Sequence, residues 1–352
     1  MNMRCPKLLG SGTLLARENG WWVAFLLIFS ASCANDQNLA DIILDSDPVC
    51  EPRSGLGPAS NQLLTCTLVQ RGLDRSFLIY IPDLYESQDI PAPLLFSLHG
   101  YTSSAIINMG YTGFQDLADQ HGFLLIYPQG SILSTTGATH WNVGGWTTGS
   151  TTNDVEFIDG IIEWASANYR VDVNRIYSAG MSNGGSMSYH LACHLGSKVA
   201  AIASITGPMT FDTYRDCIPR GSTSVLHIHG LIDPVVPYLG NSVMMPINDV
   251  IEYWVQASNC DSQGVETAIV DQDGDGMGGT YTRYENCTNS ANVDLYLLDN
   301  LGHQWPVIRS GLVRADIDAA SLVWGFLSNF EIDGKPEKVS KPIIFLNKLS
   351  AS

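Results

Sequence analysis

The feature that most constrains the fold of this chain is the run of residues 176–185, which reads IYSAGMSNGG. An apolar, strand-like segment leads into the pattern Gly-x-Ser-x-Gly centred on Ser182, and a helix-like segment follows it. Glycines two positions before and after the serine let a strand turn sharply into a helix, with the serine in a strained backbone conformation. Such a turn lifts the serine hydroxyl clear of the sheet. The run therefore makes Ser182 a candidate nucleophile, against the alternative of an inactive Gly/Ser-rich turn.

Strand-like apolar runs and helical segments alternate along most of the chain. This alternation is typical of an α/β protein with a mostly parallel central sheet and helices on both faces, because helices connect the parallel strands. We predict one such domain over residues 61–330, without repeats. Strands are predicted at residues 63–70, 75–81, 94–98, 123–127, 175–178, 200–205, 224–229 and 293–298, and helices from Asn153 onward and at 182–194, 247–257 and 315–330.

The residues that could activate Ser182 occur in a suitable order. A serine hydroxyl is a weak nucleophile, so a histidine must accept its proton and an acid must orient that histidine. Asp233 follows a predicted buried strand, and His303 follows the last predicted strand. The order serine, acid, histidine is that of the α/β-hydrolase fold, which we therefore predict. Taken singly, Asp233 is also compatible with a turn before Pro234 and His303 with an ordinary loop histidine, but the combination favours a catalytic triad.

Two backbone N–H groups are candidates for an oxyanion hole. The Asn183 N–H follows the nucleophile at a helix N-terminus, where backbone donors lack intrahelical partners. A second donor is expected from the loop after the strand at 94–98, where we choose the Tyr101 N–H because Gly100 lets the backbone approach the substrate. His99 is expected to pack or form hydrogen bonds beneath this loop.

Four motifs occur together in this chain: His-Gly-Tyr at 99–101, Gly-Met-Ser-Asn-Gly-Gly at 180–185, His-Ile-His-Gly-x-x-Asp-Pro-Val-Val-Pro-Tyr at 227–238 and Gly-His-x-Trp-Pro at 302–306. With them the chain resembles the polyhydroxybutyrate depolymerase and feruloyl esterase family over about residues 63–330. The resemblance implies a serine esterase that needs no cofactor, with Ser182 as nucleophile, Asp233 as triad acid and His303 as general base.

The same resemblance implies several ester classes as substrates: polyhydroxyalkanoates, feruloyl or acetyl esters of plant polysaccharides, and small synthetic esters. No polymer-binding module follows Phe330, so we expect soluble or polysaccharide-linked esters. Trp141, Trp146 and Trp305 are candidate substrate-binding residues, with packing as the alternative. A serine peptidase on the same fold and a catalytically inactive carbohydrate-binding cell-surface protein are the competing functions.

The two ends of the chain differ in character from the predicted domain. Residues 1–34 combine basic residues with an apolar run too short to span a bilayer, which predicts a signal peptide and a secreted protein. Cleavage after Ala34 competes with lipid attachment to Cys33. Residues 35–60 are predicted to be a polar lead-in segment, and residues 331–352 a C-terminal tail.

Six of the eight cysteines lie beyond the predicted signal peptide, an even number that suits an oxidising compartment. Sequence leaves the connectivity open, but sequential pairs close loops of modest length, so we favour them. No Cys-x-x-Cys spacing supports a metal cluster. The favoured pairs are Cys50 with Cys66, Cys193 with Cys217, and Cys260 with Cys287.

The chain carries 35 Asp and Glu residues against 18 Lys and Arg residues, a formal net charge of −17. This excess of negative charge argues against nucleic acid as a partner and favours neutral esters over polyanionic substrates.

The segment 271–276, Asp-Gln-Asp-Gly-Asp-Gly, resembles the start of a calcium-binding loop. Its twelfth position is Thr282, where such loops have a bidentate Glu. A hairpin turn explains the same residues, because strand-like segments lie on both sides. We therefore assign no metal, with a structural calcium ion as the alternative.

Overall fold

The computed structural model of the protein describes residues 44–53, 62–219, 221–308 and 315–332, together with the backbone of residues 14–18 and 21–25. The chain divides into two compact units, Met1–Ile42 and Ile43–Ser352. In the first unit, strands β1 (Leu14–Glu18) and β2 (Trp21–Phe25) form an antiparallel hairpin. Cys33 and most of the two predicted terminal segments lie outside the described residues, so their assignments stay predictions.

The second unit contains an 11-stranded sheet. Six neighbouring strands, in the order β15-β12-β11-β10-β6-β7, run parallel, and the strands at both edges pair antiparallel. This arrangement and the helices on both faces confirm the predicted α/β-hydrolase fold. The strands are β3 (Val49–Pro52), β4 (Leu63–Gln70), β5 (Leu73–Tyr80), β6 (Ala92–Leu98), β7 (Leu124–Pro128), β10 (Val171–Met181), β11 (Ala201–Ile205), β12 (Ser224–Gly230), β13 (Val265–Ile269), β14 (Gly279–Tyr284) and β15 (Val293–Leu298), and a separate hairpin is formed by β8 (Ser131–Leu133) and β9 (Ala138–His140).

Alternate side chains of the central strands enter two hydrophobic cores, one on each face of the sheet. In β6, for example, Leu94 and Phe96 belong to one core and Leu95 to the other. The first core includes apolar residues of α4, α5 and α7, and the second includes those of α2, α3 and α8. The helices are α1 (Asp83–Ser87), α2 (Ala105–Thr112), α3 (Phe114–His121), α4 (Asp154–Asn168), α5 (Asn183–Leu195), α6 (Phe211–Asp216), α7 (Ile247–Ala257) and α8 (Ala319–Leu327).

Two boundaries differ from the sequence prediction. The predicted lead-in contains strand β3, which pairs with β4 at the edge of the sheet. The last helix begins at Ala319 instead of residue 315, because the Asp318 side chain accepts a hydrogen bond from the Ser321 N–H and caps the helix there. Both features depend on short polar stretches that apolar periodicity does not mark.

Three disulfide bonds join the sequential cysteine pairs that the loop lengths favoured. Cys50 and Cys66 are partners on adjacent antiparallel strands, with Cα atoms 4.0 Å apart. Cys193 and Cys217 join the end of α5 to the segment after α6. The third pair, Cys260–Cys287, ties the end of α7 to the segment after β14. Within the described ranges, no helix has the length and apolar character needed to cross a membrane.

A buried ion pair joins the antiparallel edge of the sheet to α4. Arg75 on β5 donates to Asp154 Oδ1 at 2.6 Å, and both side chains are almost fully buried. The Arg75 guanidinium also lies 3.8 Å above the Phe157 ring and donates to the Gln70 side chain. The second carboxylate oxygen of Asp154 accepts from the Asn142 N–H at 2.8 Å. Asp154 therefore connects the sheet, α4 and the loop that begins near residue 141.

Replacement of Asp154 by alanine is expected to lower the free energy of unfolding by about 3–5 kcal/mol, because it leaves the buried Arg75 charge without a counter-charge. Urea denaturation followed by far-UV circular dichroism measures this change. Glu163→Ala on the same helix is the matched control, since this mostly exposed carboxylate pairs with Lys198 at the surface and its loss should cost about 1 kcal/mol or less. Equal losses in the two variants would contradict a structural role for the buried pair.

Candidate active site

The candidate site residues lie at the carboxyl ends of neighbouring parallel strands. Across the sheet, Gly180 on β10 pairs with Leu98 on β6, and Ile205 on β11 pairs with both Met181 and Ile228. Gly230 on β12 is in turn level with Leu298 on β15. The segments that carry Tyr101, Ser182, Asp233 and His303 each continue from one of these strand ends, so the sheet gathers them at one edge.

Ser182 occupies a sharp turn between β10 and α5. Its backbone has φ 56° and ψ −121°, a strained conformation for a residue with a side chain. The Ser182 N–H donates to the Ile205 carbonyl at 2.8 Å, which holds the turn against the neighbouring strand. A Cβ atom built on Gly184 would lie 2.1 Å from the Leu98 carbonyl oxygen. Glycine at that position is therefore required for the start of α5 to pack against the end of β6.

Asp233 and His303 are in direct contact. The His303 Nδ1–H donates to Asp233 Oδ2 at 2.8 Å, while Asp233 Oδ1 accepts from the N–H groups of Val235 and Val236. Burial raises the pKa of the Asp233 carboxyl, but these donors and the nearby imidazole outweigh burial and bring its pKa below the usual value. Asp233 is therefore an ionised carboxylate, hydrogen-bonded through both oxygens, that orients His303.

The second imidazole nitrogen of His303, Nε2, does not take part in the hydrogen bond to Asp233. The side chain is 17% exposed, whereas that of Asp233 is fully buried. Among the described residues, no hydrogen bond links His303 to the Ser182 hydroxyl, so the structure joins the acid to the histidine but not the histidine to the serine. Gly230 lets the loop that carries His303 pack closely against the end of β12, because a Cβ atom on residue 230 would lie 1.9 Å from the Leu301 carbonyl oxygen.

The Gly100–Tyr101 segment lies beside the nucleophile. A Cβ atom built on Gly100 would lie 3.5 Å from Ser182 Cβ and 4.0 Å from its Oγ. Within the part of the chain that the structure describes, the Tyr101 N–H has no hydrogen-bond acceptor. The Asn183 N–H belongs to the first turn of α5, where backbone donors lack intrahelical partners. Both candidate oxyanion donors are thus next to Ser182 in the fold.

His99 lies beneath this loop, as the sequence suggested. Its Nδ1–H donates to the Gly100 carbonyl at 2.8 Å and its Nε2 accepts from the Gly130 N–H at 2.9 Å. Burial lowers the pKa of His99 to about 4. A neutral imidazole with both nitrogens engaged supports the backbone of the loop and has no nitrogen left for proton transfer.

Trp141 is a support of the same loop instead of a substrate contact. The side chain is fully buried, and its indole N–H donates to the His99 carbonyl at 2.8 Å. The Trp141 N–H donates to the Asn183 side-chain oxygen, and the Asn183 side-chain NH₂ donates to the Trp141 carbonyl. Trp141 therefore links the backbone segments of both candidate oxyanion donors, and its ring is too deeply buried to hold an acyl group.

The two other candidate aromatic residues differ in exposure. Trp305 is 6% exposed and packs edge-to-face against Tyr111 and Phe114, so it also belongs to the core. Trp146 is half-buried in a short 3₁₀ turn, Gly145–Thr147. Tyr101 is likewise half-buried, and its hydroxyl donates to the Thr136 side chain. Of the three tryptophans, only Trp146 keeps an accessible surface comparable to that of Tyr101.

Several supporting residues were not identified from the sequence. Trp141 was predicted as a substrate contact and not as a support, and Asp154, which bonds to the loop at 141–142, was only part of the helix predicted from Asn153 onward. His227 and His229 were treated as parts of a motif, although both are fully buried on β12. Two histidines separated by one residue on an apolar strand point to the same face, and this spacing is the signal that could have indicated a buried polar pair.

The acidic segment 271–276 forms the turn between β13 and β14. Carboxylate oxygens of Asp271, Asp273 and Asp275 lie within 4.8 Å of one another, and all three residues are exposed. Asp271 accepts hydrogen bonds from the N–H groups of Gly274 and Gly276. The hairpin turn accounts for the spacing of these residues.

Comparisons with known proteins identify related sequences. Residues 75–243 match the family described as Esterase PHB depolymerase. The bifunctional acetylxylan esterase/xylanase XynS20E of Neocallimastix patriciarum is 26% identical over 265 residues, 75% of this chain and 35% of that protein. Feruloyl esterase B of Piromyces equi is 27% identical over 230 residues, 61% of this chain and 40% of that protein. Feruloyl esterase D of Neurospora crassa is 28% identical over 252 residues, 68% of this chain and 77% of that protein.

These matches agree with the resemblance that the four motifs indicated. The chain spans 35% and 40% of the length of the first two relatives.

Replacement of Gly184 by alanine is expected to lower the free energy of unfolding by about 1–3 kcal/mol, because the added methyl group would overlap the backbone of β6. Thermal and urea denaturation measure the change. Gly325→Ala in α8 is the matched control, since nothing lies within 4 Å of a Cβ atom there and alanine favours a helix by up to about 1 kcal/mol. A Gly184→Ala protein as stable as the parent would show that the close contact is not needed.

Proposed function

We propose that this chain, which is similar to the polyhydroxybutyrate depolymerase and feruloyl esterase family, hydrolyses carboxylic esters through Ser182, Asp233 and His303. The observation that carries the proposal is the Asp233–His303 hydrogen bond at the sheet edge where Ser182 occupies its strained turn. A buried carboxylate that holds an accessible imidazole has no obvious structural purpose, whereas it suits a histidine that must accept and return a proton.

The proposed reaction has two steps. His303 takes the proton of the Ser182 hydroxyl through Nε2 as the oxygen attacks the acyl carbon, and then gives that proton to the departing alcohol. A water molecule, deprotonated by the same imidazole, then attacks the acyl carbon; the bond from that carbon to Ser182 Oγ breaks, His303 returns the proton to Oγ, and the acid is released. The negative charge on the former carbonyl oxygen is stabilised in each step by the N–H groups of Tyr101 and Asn183. Asp233 keeps the Nδ1–H of His303 oriented and stabilises the imidazolium.

We propose acyl esters of plant polysaccharides as the substrate class. This choice is supported by the relatives, which are named for acetylxylan and feruloyl esters. The strongly negative chain also favours substrates without negative charge. Since Trp141 and Trp305 are buried, Tyr101 and Trp146 are the aromatic side chains proposed to contact the acyl or sugar part.

We also propose that the protein acts outside the cytoplasm. Three disulfide bonds within the described residues are characteristic of proteins that fold in oxidising compartments. The signal peptide predicted over residues 1–34 agrees with secretion, and lipid attachment to Cys33 remains part of the sequence prediction.

Ser182→Ala is expected to abolish ester hydrolysis while leaving the fold intact, because alanine lacks the attacking oxygen. Hydrolysis of nitrophenyl acetate, followed by absorbance, measures the loss, which is roughly 10⁶-fold in kcat when a serine nucleophile is removed. A fluorophosphonate probe should form one phosphonyl–serine bond with release of fluoride in the parent, and none in the variant. Ser166→Ala on α4 is the control, since its hydroxyl donates to the Ile162 carbonyl of the same helix, away from the candidate site. Full activity of Ser182→Ala would refute the proposed nucleophile.

The substrate class is tested with a panel of acetylated xylan, methyl ferulate, a hydroxybutyrate oligomer and a peptide nitroanilide. We expect the highest kcat/KM on one of the two polysaccharide-type esters, and no cleavage of the peptide. Preference for the hydroxybutyrate oligomer would contradict the substrate class while leaving the triad in place. Cleavage of the peptide alone would favour the peptidase alternative, and absence of any turnover would favour an inactive carbohydrate-binding protein.

A further inference from the structure

Beside the triad acid, three buried side chains form a continuous series of hydrogen bonds. The hydroxyl of Tyr189 lies 2.9 Å from His227 Nδ1, and His227 Nε2 lies 3.2 Å from His229 Nδ1. His229 Nε2 then lies 2.9 Å from the carbonyl oxygen of Val236. Tyr189, His227 and His229 are all fully buried, with 0% of their surface exposed. The mechanism proposed for Ser182, Asp233 and His303 does not use any of them.

The chemistry of the last acceptor determines the direction of every bond in the series. A carbonyl oxygen can only accept, so His229 must carry its proton on Nε2. Its Nδ1 is then an acceptor in the neutral ring, which requires the proton of His227 to be on Nε2. His227 Nδ1 must therefore accept from the Tyr189 hydroxyl. One carbonyl group thus specifies two tautomers and one hydroxyl orientation.

The series connects the elements that carry the nucleophile and the acid. Tyr189 lies on α5, which begins directly after Ser182. Both histidines lie on β12, which leads into the loop of residues 231–236 that carries Asp233, here called the acid loop. Val236, whose carbonyl ends the series, donates its own N–H to Asp233 Oδ1 at 2.8 Å. The peptide group after Val236 therefore accepts a hydrogen bond from His229, and the peptide group before it donates one to Asp233.

Burial keeps the two histidines neutral. It lowers the pKa of His229 to about 4 and that of His227 well below its usual range; the neighbouring His303 further lowers the pKa of His229, and His229 that of His227. The titratable groups that face His229 are His227 on the same strand, Asp233 with Oδ2 4.0 Å away, His303 and Tyr238. A charged His229 at this distance would compete with His303 for the Asp233 carboxylate, and the neutral ring does not.

We propose that His227 and His229 are positioning residues, which hold the Val236 peptide so that Asp233 stays aligned with His303. This inference rests on the proposed function, because alignment matters only if Asp233 serves His303 in catalysis. The pair acts through the backbone of the acid loop and touches neither the substrate nor Ser182.

The test compares His229→Leu with His229→Gln in the full chain. Leucine removes the donor to Val236, whereas the glutamine amide places an N–H close to the position of imidazole Nε2. We expect His229→Leu to lower kcat roughly 10- to 100-fold, the range that misplacement of a catalytic group produces, with little change in KM. The acid limb of its kcat/KM–pH profile should move to lower pH, because the imidazolium loses its aligned carboxylate. His229→Gln should restore most of kcat and the parental profile.

Tyr189→Phe provides a second variant that keeps both histidines. It leaves His227 Nδ1 without a donor and should change kcat and the pH profile in the same direction as His229→Leu, to a smaller extent. Tyr177→Phe is the matched control, since it also removes one buried hydroxyl, which donates to the Phe330 carbonyl far along the chain. Equal effects of Tyr189→Phe and Tyr177→Phe, or an unchanged pH profile in His229→Leu, would overturn the positioning role.

A spectroscopic measurement separates this proposal from the proposed function. The measurement is made on Ser182→Ala protein and needs no substrate. In that protein, the proton shared by His303 Nδ1 and Asp233 should give a low-field NMR resonance. Adding His229→Leu should shift this resonance upfield or remove it, whereas adding Tyr177→Phe should leave it in place. An unchanged resonance in the double variant would refute the positioning role even if the protein proves to be an active esterase. A shifted resonance in a protein without esterase activity would leave the positioning role standing while the proposed function fails.

Discussion

The site depends first on the backbone contacts beneath Ser182. Added Cβ atoms at Gly184 and Gly207 would each lie 2.1 Å from a carbonyl oxygen, that of Leu98 and that of Ser182 respectively. The start of α5 therefore contacts the end of β6 through Gly184, and the segment after β11 contacts the Ser182 backbone through Gly207. This packing holds Ser182 in a conformation that an isolated turn would not adopt, since a strained backbone persists only where its surroundings enforce it. The Gly100 loop and the N-terminus of α5 are brought together by the same approach.

Around this centre, buried polar groups support the two halves of the site separately. On one side, Trp141 bonds to the backbone of His99 and to the side chain of Asn183, next to the candidate oxyanion donors. On the other, His229 bonds to the acid loop through Val236. Buried polar groups are costly unless bonded, so each such contact restricts the backbone to one arrangement. These contacts lie beside the groups that the proposed mechanism aligns, and Asp154 connects the Trp141 side to the sheet edge through Asn142 and Arg75.

Much of the fold followed from local pattern. The central strands β6, β10, β11, β12 and β15 are each marked by a short apolar run, so their existence and order could be predicted within a few residues. The edge strand β3 and the start of α8 could not, because the first pairs through its backbone and a disulfide bond, and the second begins at an aspartate cap. The roles of aromatic residues in loops near the site were the hardest to predict. Trp141 and Trp305 are of a residue type common at binding surfaces, but both lie in the interior.

The sequence by itself determined the chemistry available to this protein: a serine in a strand-to-helix turn, followed by an acid and a histidine in the order of the α/β-hydrolase fold. It also favoured the sequential cysteine pairs, because they close short loops, and the tertiary structure then fixed that connectivity. Only the tertiary structure decided which polar residues face the substrate side and which are buried supports. Burial and hydrogen-bond direction depend on packing between elements distant along the chain, as with Tyr189, His227 and Val236, and no local pattern encodes contacts of that kind.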